Sequence, residues 1–327
     1  MEITWLKGFA DGWRERVAQD RLPHALLLTG GVGVGKRAAA AWLAGLRLAA
    51  GKTPELPQYP VSPTEHPDLH WVAPEADRAT ISVDQIRALV GELSLTSHAG
   101  AGKVAVIEPA NAMTENAANS LLKTLEEPPG DALLILIADR TGRLPATVFS
   151  RCQRVDIAAP GEADGIAWLD RLQPGAAWAQ ALSLAGNAPL AAIGTLELLE
   201  THASMSRDFN AVGLGEAAPL EVAARWARLE PGFVLDWLAR RVQQAIFGAS
   251  GVRRPVAEGI PEESVLQRMD RRNLFCYLDT INRLRGQAAG SFNLQLTYEG
   301  LLIDWAEGLA NCGRRPPGGT VTLPATR

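Results

Sequence analysis

Cysteine is scarce: the 327-residue chain has three, Cys152, Cys276 and Cys312, far apart and without a C-x-x-C pair. This excludes a disulfide framework and a cysteine zinc site, and His66, His70 and His98 have no matching thiolate set. A basic excess is also missing. At a formal net charge of -4 the chain lacks the footprint of an autonomous nucleic-acid binder, so any DNA contact would need local patches or partners. No apolar stretch reaches the roughly 18 residues of a membrane span. The start mixes Glu2, Lys7, Asp11, Arg14 and Arg16 among apolar residues. Cytoplasmic residence without a membrane partner is the expectation. No repeat of 20–50 residues is evident.

What is present is apolar bulk. At 47% hydrophobic residues the chain can build real cores, and its length predicts two or three domains. Short apolar runs at Ala25 to Leu28, Leu69 to Ala73, Val104 to Ile107 and Leu133 to Ile137 alternate with helical stretches. Continuous apolar strands predict a parallel sheet buried on both faces, hence an α/β domain over residues 1–160. A Pro-rich loop lies between Gly51 and Pro67. Thr80 to Leu95 then carries Ile81, Ile86, Leu89, Val90 and Leu93 at mainly helical spacing.

Beyond Pro160 no strand-like pattern returns. Trp168, Leu172, Ala181 to Leu184 and Leu190 to Leu199 predict a small helical unit over residues 161–203. Three apolar helical stripes follow, one from Phe233 to Ile246, one from Leu274 to Leu284 and one from Leu294 to Leu309. They predict an all-α domain over residues 204–312, whose stripes serve as core or as an oligomer surface. Residues 249–262 read as a linker and 313–327 as a frayed tail.

The chemistry concentrates in Gly30 to Arg37, G-G-V-G-V-G-K-R, which follows a strand and opens a helix. It fits the phosphate-cradling pattern G-x-x-x-x-G-K-[ST] except at its last position. In such a loop the backbone around Gly30, Gly33 and Gly35 surrounds phosphates, Lys36 neutralises charge, and the following hydroxyl ligates magnesium. Arg37 has no hydroxyl, and a cation there repels the metal. Two readings stay open: ATP or ADP occupies the loop, or the glycines serve only a tight strand–helix turn. Glu108 stands at an acidic strand end, but Pro109 takes the place of a hydrolytic carboxylate. Glu108 alone could still ligate a metal indirectly, but it reads first as an ordinary solvated strand-end carboxylate. Thr114 to Pro129 reads as a capped amphipathic helix ended by Pro128.

Taken as literal strings, H-A-L-L-L at His24, the glycine loop, H-P-D at His66, I-S-V-D-Q-I-R at Ile81, N-S-L-L-K-T-L-E-E-P-P ending at Pro129 and S-R-C at Ser150 resemble the bacterial DNA polymerase III clamp-loader family, and within it the delta-prime type. The resemblance is strong over residues 1 to about 160; N-L-Q-L at Asn293 extends it more weakly. It implies an AAA+ P-loop domain, a helical lid and a helical collar joining a ring with gamma or tau and delta subunits. That ring loads a sliding clamp on primed DNA using ATP.

The departures point away from a motor subunit. Motor subunits keep Lys-Thr or Lys-Ser and Asp-Glu where this chain has Lys36-Arg37 and Glu108-Pro109, and Pro189 stands where their lid carries a nucleotide-sensing arginine. The family's zinc cysteines are absent between Gly51 and Gly102, so no zinc is expected. In Ser150-Arg151-Cys152, the resemblance implies that Arg151 reaches the ATP site of a neighbouring subunit. The expectation is a ring member without its own ATPase activity and with no required cofactor. The rivals are an independent P-loop ATPase using Lys36 and Glu108, and a motor-type gamma or tau subunit.

Overall fold

The computed structural model describes residues 1–19, 21–48, 55–61, 65–76, 78–98, 100, 102–139, 144–248, 263–266, 269–286 and 293–310. The expected linker 249–262, Cys312 and the expected tail 313–327 lie outside the described residues, as does part of the Pro-rich loop. The chain divides into two compact units, Met1–Glu197 and Leu198–Arg327.

The first unit runs from a 3-10 turn, Thr4–Leu6, through α1 (Lys7–Ala18), β1 (Ala25–Thr29), α2 (Lys36–Leu48), β2 (Leu69–Val72), α3 (Val83–Leu93) and β3 (Val104–Ile107). It continues through α4 (Glu115–Glu126), β4 (Leu133–Ala138), α5 (Ala146–Phe149) and β5 (Gln153–Asp156) to α6 (Glu162–Leu172), α7 (Trp178–Leu184) and α8 (Pro189–Leu196). The sheet is wholly parallel, with strand order β2-β3-β4-β1-β5. β1, β3 and β4 are buried along their whole lengths, as their unbroken apolar runs require. Each fully buried Leu or Ile there contributes roughly 1.5–3 kcal/mol. β5 has exposed Gln153, Arg154 and Asp156 at the sheet's edge, and its sequence carries no apolar run.

Local chemistry sets the helix ends. Ser82 accepts from Gln85 N while the Gln85 side chain accepts from Ser82 N, a reciprocal cap that starts α3 after Ile81. Ile81 therefore departs from the helical expectation: it is buried by bridging to Met113. Thr114 caps α4 by accepting from Ala117 N at 3.2 Å. The first unit is thus a parallel sheet flanked by helices, and after β5 the helices α6 to α8 pack on one another.

The second unit holds α9 (Leu199–Leu214), α10 (Pro219–Trp226), α11 (Pro231–Gly248), α12 (Glu263–Leu266), α13 (Arg271–Arg285) and α14 (Leu294–Ala306). The expected boundary at residue 203 falls inside α9, which continues until Gly215, at φ 79°, caps it. Phe209 stacks on Trp305 at 4.1 Å between ring centroids, and Trp226 and Trp237 close around it. Tyr277 donates its hydroxyl to Leu301 O at 2.8 Å, which satisfies the one polar atom of a fully buried ring. All three apolar stripes converge on this core.

Candidate functional site

In a parallel sheet the carboxyl ends of the strands share one edge, so the strand order places the loops after β1, β4 and β3 side by side. The glycine loop leaves β1 with Gly30 at φ 141°, Gly33 at φ 80° and Gly35 at φ 103°. A Cβ on Gly30 would lie 2.3 Å from Ile157 O, and one on Gly33 would lie 2.4 Å from the Cβ and backbone nitrogen of Ala191. Glycine is obligatory at both positions. The loop is clasped by its own chain: Trp5 Nε1 donates to Val34 O at 2.8 Å, and Leu190 N, in the first turn of α8, donates to Gly33 O at 3.0 Å. Pro189 begins that turn.

Lys36 is 5% exposed. Its ammonium donates to Gly30 O at 2.9 Å and to Gly31 O, and pairs with Asp139 Oδ1 at 2.7 Å. An ammonium has three N–H groups, and these partners engage them all. Asp139 follows β4 directly. No apolar periodicity marks it, and it meets Lys36 only because β4 lies beside β1, so sequence reasoning missed it.

Arg37 turns the other way. Its Nη1 lies 3.2 Å from Glu108 Oε2, and its guanidinium sits 5.2 Å from the centroid of the Trp71 ring. Trp71 Nε1 donates to the same Glu108 oxygen at 3.1 Å. Glu108 is thus not the solvated carboxylate expected: its side chain is 19% exposed and doubly partnered. Burial pushes its pKa above the ordinary carboxylate value, while Arg37 and the Trp71 hydrogen bond pull it down. Where a magnesium-binding loop places a hydroxyl and a metal, this site places a guanidinium on a carboxylate and an indole face.

Arg151 stands apart from that cluster, at the end of α5. Its partners are Glu126, Thr147 and Ser150. The side chain is 32% exposed. Ser150 caps α5 and donates to Thr147 O at 3.1 Å. Cys152 packs against the sheet core, and burial raises its thiol pKa to about 11, so it is a packing residue and a poor thiolate. The H-P-D string is structural as well: Asp68 is fully buried and accepts from His98 N at 2.9 Å and Ser97 Oγ at 3.0 Å, while His66 Nδ1 accepts from Asp68 N. Among the described residues no group of three or more His, Cys, Asp or Glu is placed to hold a metal ion.

The family described as DNA polymerase III, delta subunit, matches residues 7–161. The DNA polymerase III subunit delta' of Pseudomonas aeruginosa is 36% identical over 236 residues, covering 69% of this chain and 72% of that protein. The chain belongs to the DNA polymerase III subunit delta' family. A further delta' relative, from Bacillus subtilis, is 43% identical over 142 residues, 42% of this chain and 43% of its own. Among solved structures, a DNA polymerase III gamma subunit-related protein from Thermotoga maritima superposes with a TM-score of 0.51 at 18% identity, covering 90% of this chain and 99% of its own. That likeness concerns the fold. Among the described residues no helix is long and apolar enough to cross a membrane.

Proposed function

We propose that this chain is a non-hydrolysing, delta-prime-type subunit of the DNA polymerase III clamp loader. It joins gamma or tau and delta subunits in a cytoplasmic ring that loads a sliding clamp on primed DNA, and it contributes Arg151 in trans to a neighbour's ATP site. The observation that carries this reading is the self-satisfied glycine loop. Lys36 is engaged by Gly30, Gly31 and Asp139, and Arg37 pairs with Glu108, so both cations of the loop have partners within their own chain. Hydrolysis also needs a metal-binding hydroxyl and a base, and Arg37 and Pro109 supply neither. On this reading the subunit requires no cofactor of its own for its place in the ring, whether or not ATP or ADP occupies the loop.

Membership of the delta' family and the partly exposed Arg151 support the trans role, since an arginine delivered from a neighbour stabilises transferring phosphate charge by about 10³ to 10⁵ in rate. In the second unit, exposed Leu296 and Ile303 lie one heptad apart on α14, an apolar face suited to packing against a ring neighbour. Co-purification with the loader subunits, followed by ATPase assays of the chain alone and of the assembly, tests the reading. The chain alone should match a buffer control, while the assembly containing it should respond to clamp and primed DNA. Magnesium-dependent turnover by the chain alone that disappears in Lys36→Ala would contradict it.

A further inference from the structure

The Arg151 guanidinium is already occupied within its own chain. Nε donates to Glu126 Oε1 at 2.6 Å, Nη2 pairs with that same oxygen, and Nη1 donates to Thr147 O at 2.9 Å and lies 3.4 Å from Ser150 Oγ. All three nitrogens are engaged. A phosphate recognised by arginine uses the same planar fork of N–H groups, so a carboxylate holding Nε and Nη2 competes directly with it.

Glu126 is placed by the scaffold. It is the last residue of α4, and the carbonyl just before it, Leu125 O, is held by His24 Nε2 at 2.9 Å, next to the first residue of β1. The side chain itself is half exposed and makes no other polar contact among the described residues. Its position is therefore fixed by the sheet, whereas its hold on Arg151 is reversible. The negative end of α4 adds to the attraction for a cation.

We propose that Glu126 is a latch on Arg151. It keeps the guanidinium folded against its own chain until the phosphates in a neighbour's site displace the carboxylate, which restrains basal hydrolysis in a ring that is not fully docked. This rests on the trans-arginine reading above. A partly exposed ion pair holds weakly, corresponding to about a twofold to fivefold change in the population of released Arg151. A hold of that size suits a latch that docking must open.

Two measurements on Glu126→Gln, which keeps the size of the side chain and its place in α4, test this. In the free full-length chain, arginine-selective dicarbonyl labelling mapped by mass spectrometry should modify Arg151 about twofold to fivefold faster in the variant. Arg87, on the exposed face of α3, serves as the internal reference. In the assembled loader without clamp or DNA, the variant should raise the ATPase rate by a similar factor, and the rise should vanish when Arg151 is also replaced by alanine. Unchanged labelling overturns the latch. So does a lowered basal rate, which would make Glu126 a positioning aid while leaving the trans-arginine reading intact. If Arg151→Ala alone leaves the stimulated ATPase of the loader unchanged, the trans-arginine reading falls and the latch falls with it.

Discussion

Lys36 and Arg37 are adjacent cations with opposite duties: one is buried on loop carbonyls and Asp139, the other lies on Trp71 and Glu108. A lysine kept only for nucleotide would add nothing to an empty protein. Here Lys36→Met leaves two loop carbonyls and Asp139 without their charged donor, and should destabilise the nucleotide-free chain by about 1–3 kcal/mol. Denaturant unfolding in nucleotide-free buffer measures this, and an unchanged midpoint would show that the clasp is not structural. Arg37→Thr restores the hydroxyl pattern yet should yield no ATPase, because Pro109 still stands where the base belongs. Turnover in that variant by phosphate-release assay would refute the assignment. The loop itself and the departure at Arg37 were legible in the sequence. Asp139 and Trp71 were not, because an acid after β4 and an indole on β2 acquire meaning only once the strand order brings them to Lys36 and Glu108.

At the scale of elements, the buried strands were legible because an unbroken apolar run has one cheap solution, a sheet covered on both faces. β1, β3 and β4 coincide with their runs to within a residue. β5 escaped because an edge strand can keep Gln153, Arg154 and Asp156 in water and still pair with β1. The contact between Gly33 and α8 was equally invisible, since it joins positions more than 150 residues apart. Gly33→Ala there imposes both a left-handed φ and an overlap with Ala191, and should cost about 2–4 kcal/mol. Limited proteolysis should then cleave the α8 region faster; unchanged protection would mean that the clasp does not hold α8.

The α9 helix carries a different sensitivity. His202 is buried against Phe233, and burial together with Arg240 and Arg241 lowers its pKa to about 4. The folded unit thus keeps it neutral, while the unfolded chain takes up a proton as pH falls below about 6.5. The stability linked to His202 is fully present above that value and is lost progressively from about pH 6.5 down towards 4. His202→Leu should flatten the decline in unfolding midpoint over that window; an equally steep decline would assign it to other groups.

As a whole molecule, the chain joins a parallel-sheet unit, whose glycine-loop cations are paired internally, to a helical unit with a shared aromatic core, and Arg151 stands partly exposed at the end of α5. On the proposed reading the chain does not act alone on ATP, and its chemistry is read in an assembly. The most direct measurement compares clamp loading on primed DNA by rings assembled with wild-type chain and with Arg151→Ala, each ring shown by mass to contain the chain. On the proposed reading Arg151 serves a single site, so its full effect of about 10³ to 10⁵ would apply there and the bulk ATPase loss would be smaller. The account predicts intact assembly with loading strongly reduced. Loading at the wild-type rate in rings that contain the variant would contradict it and leave the chain a structural member only.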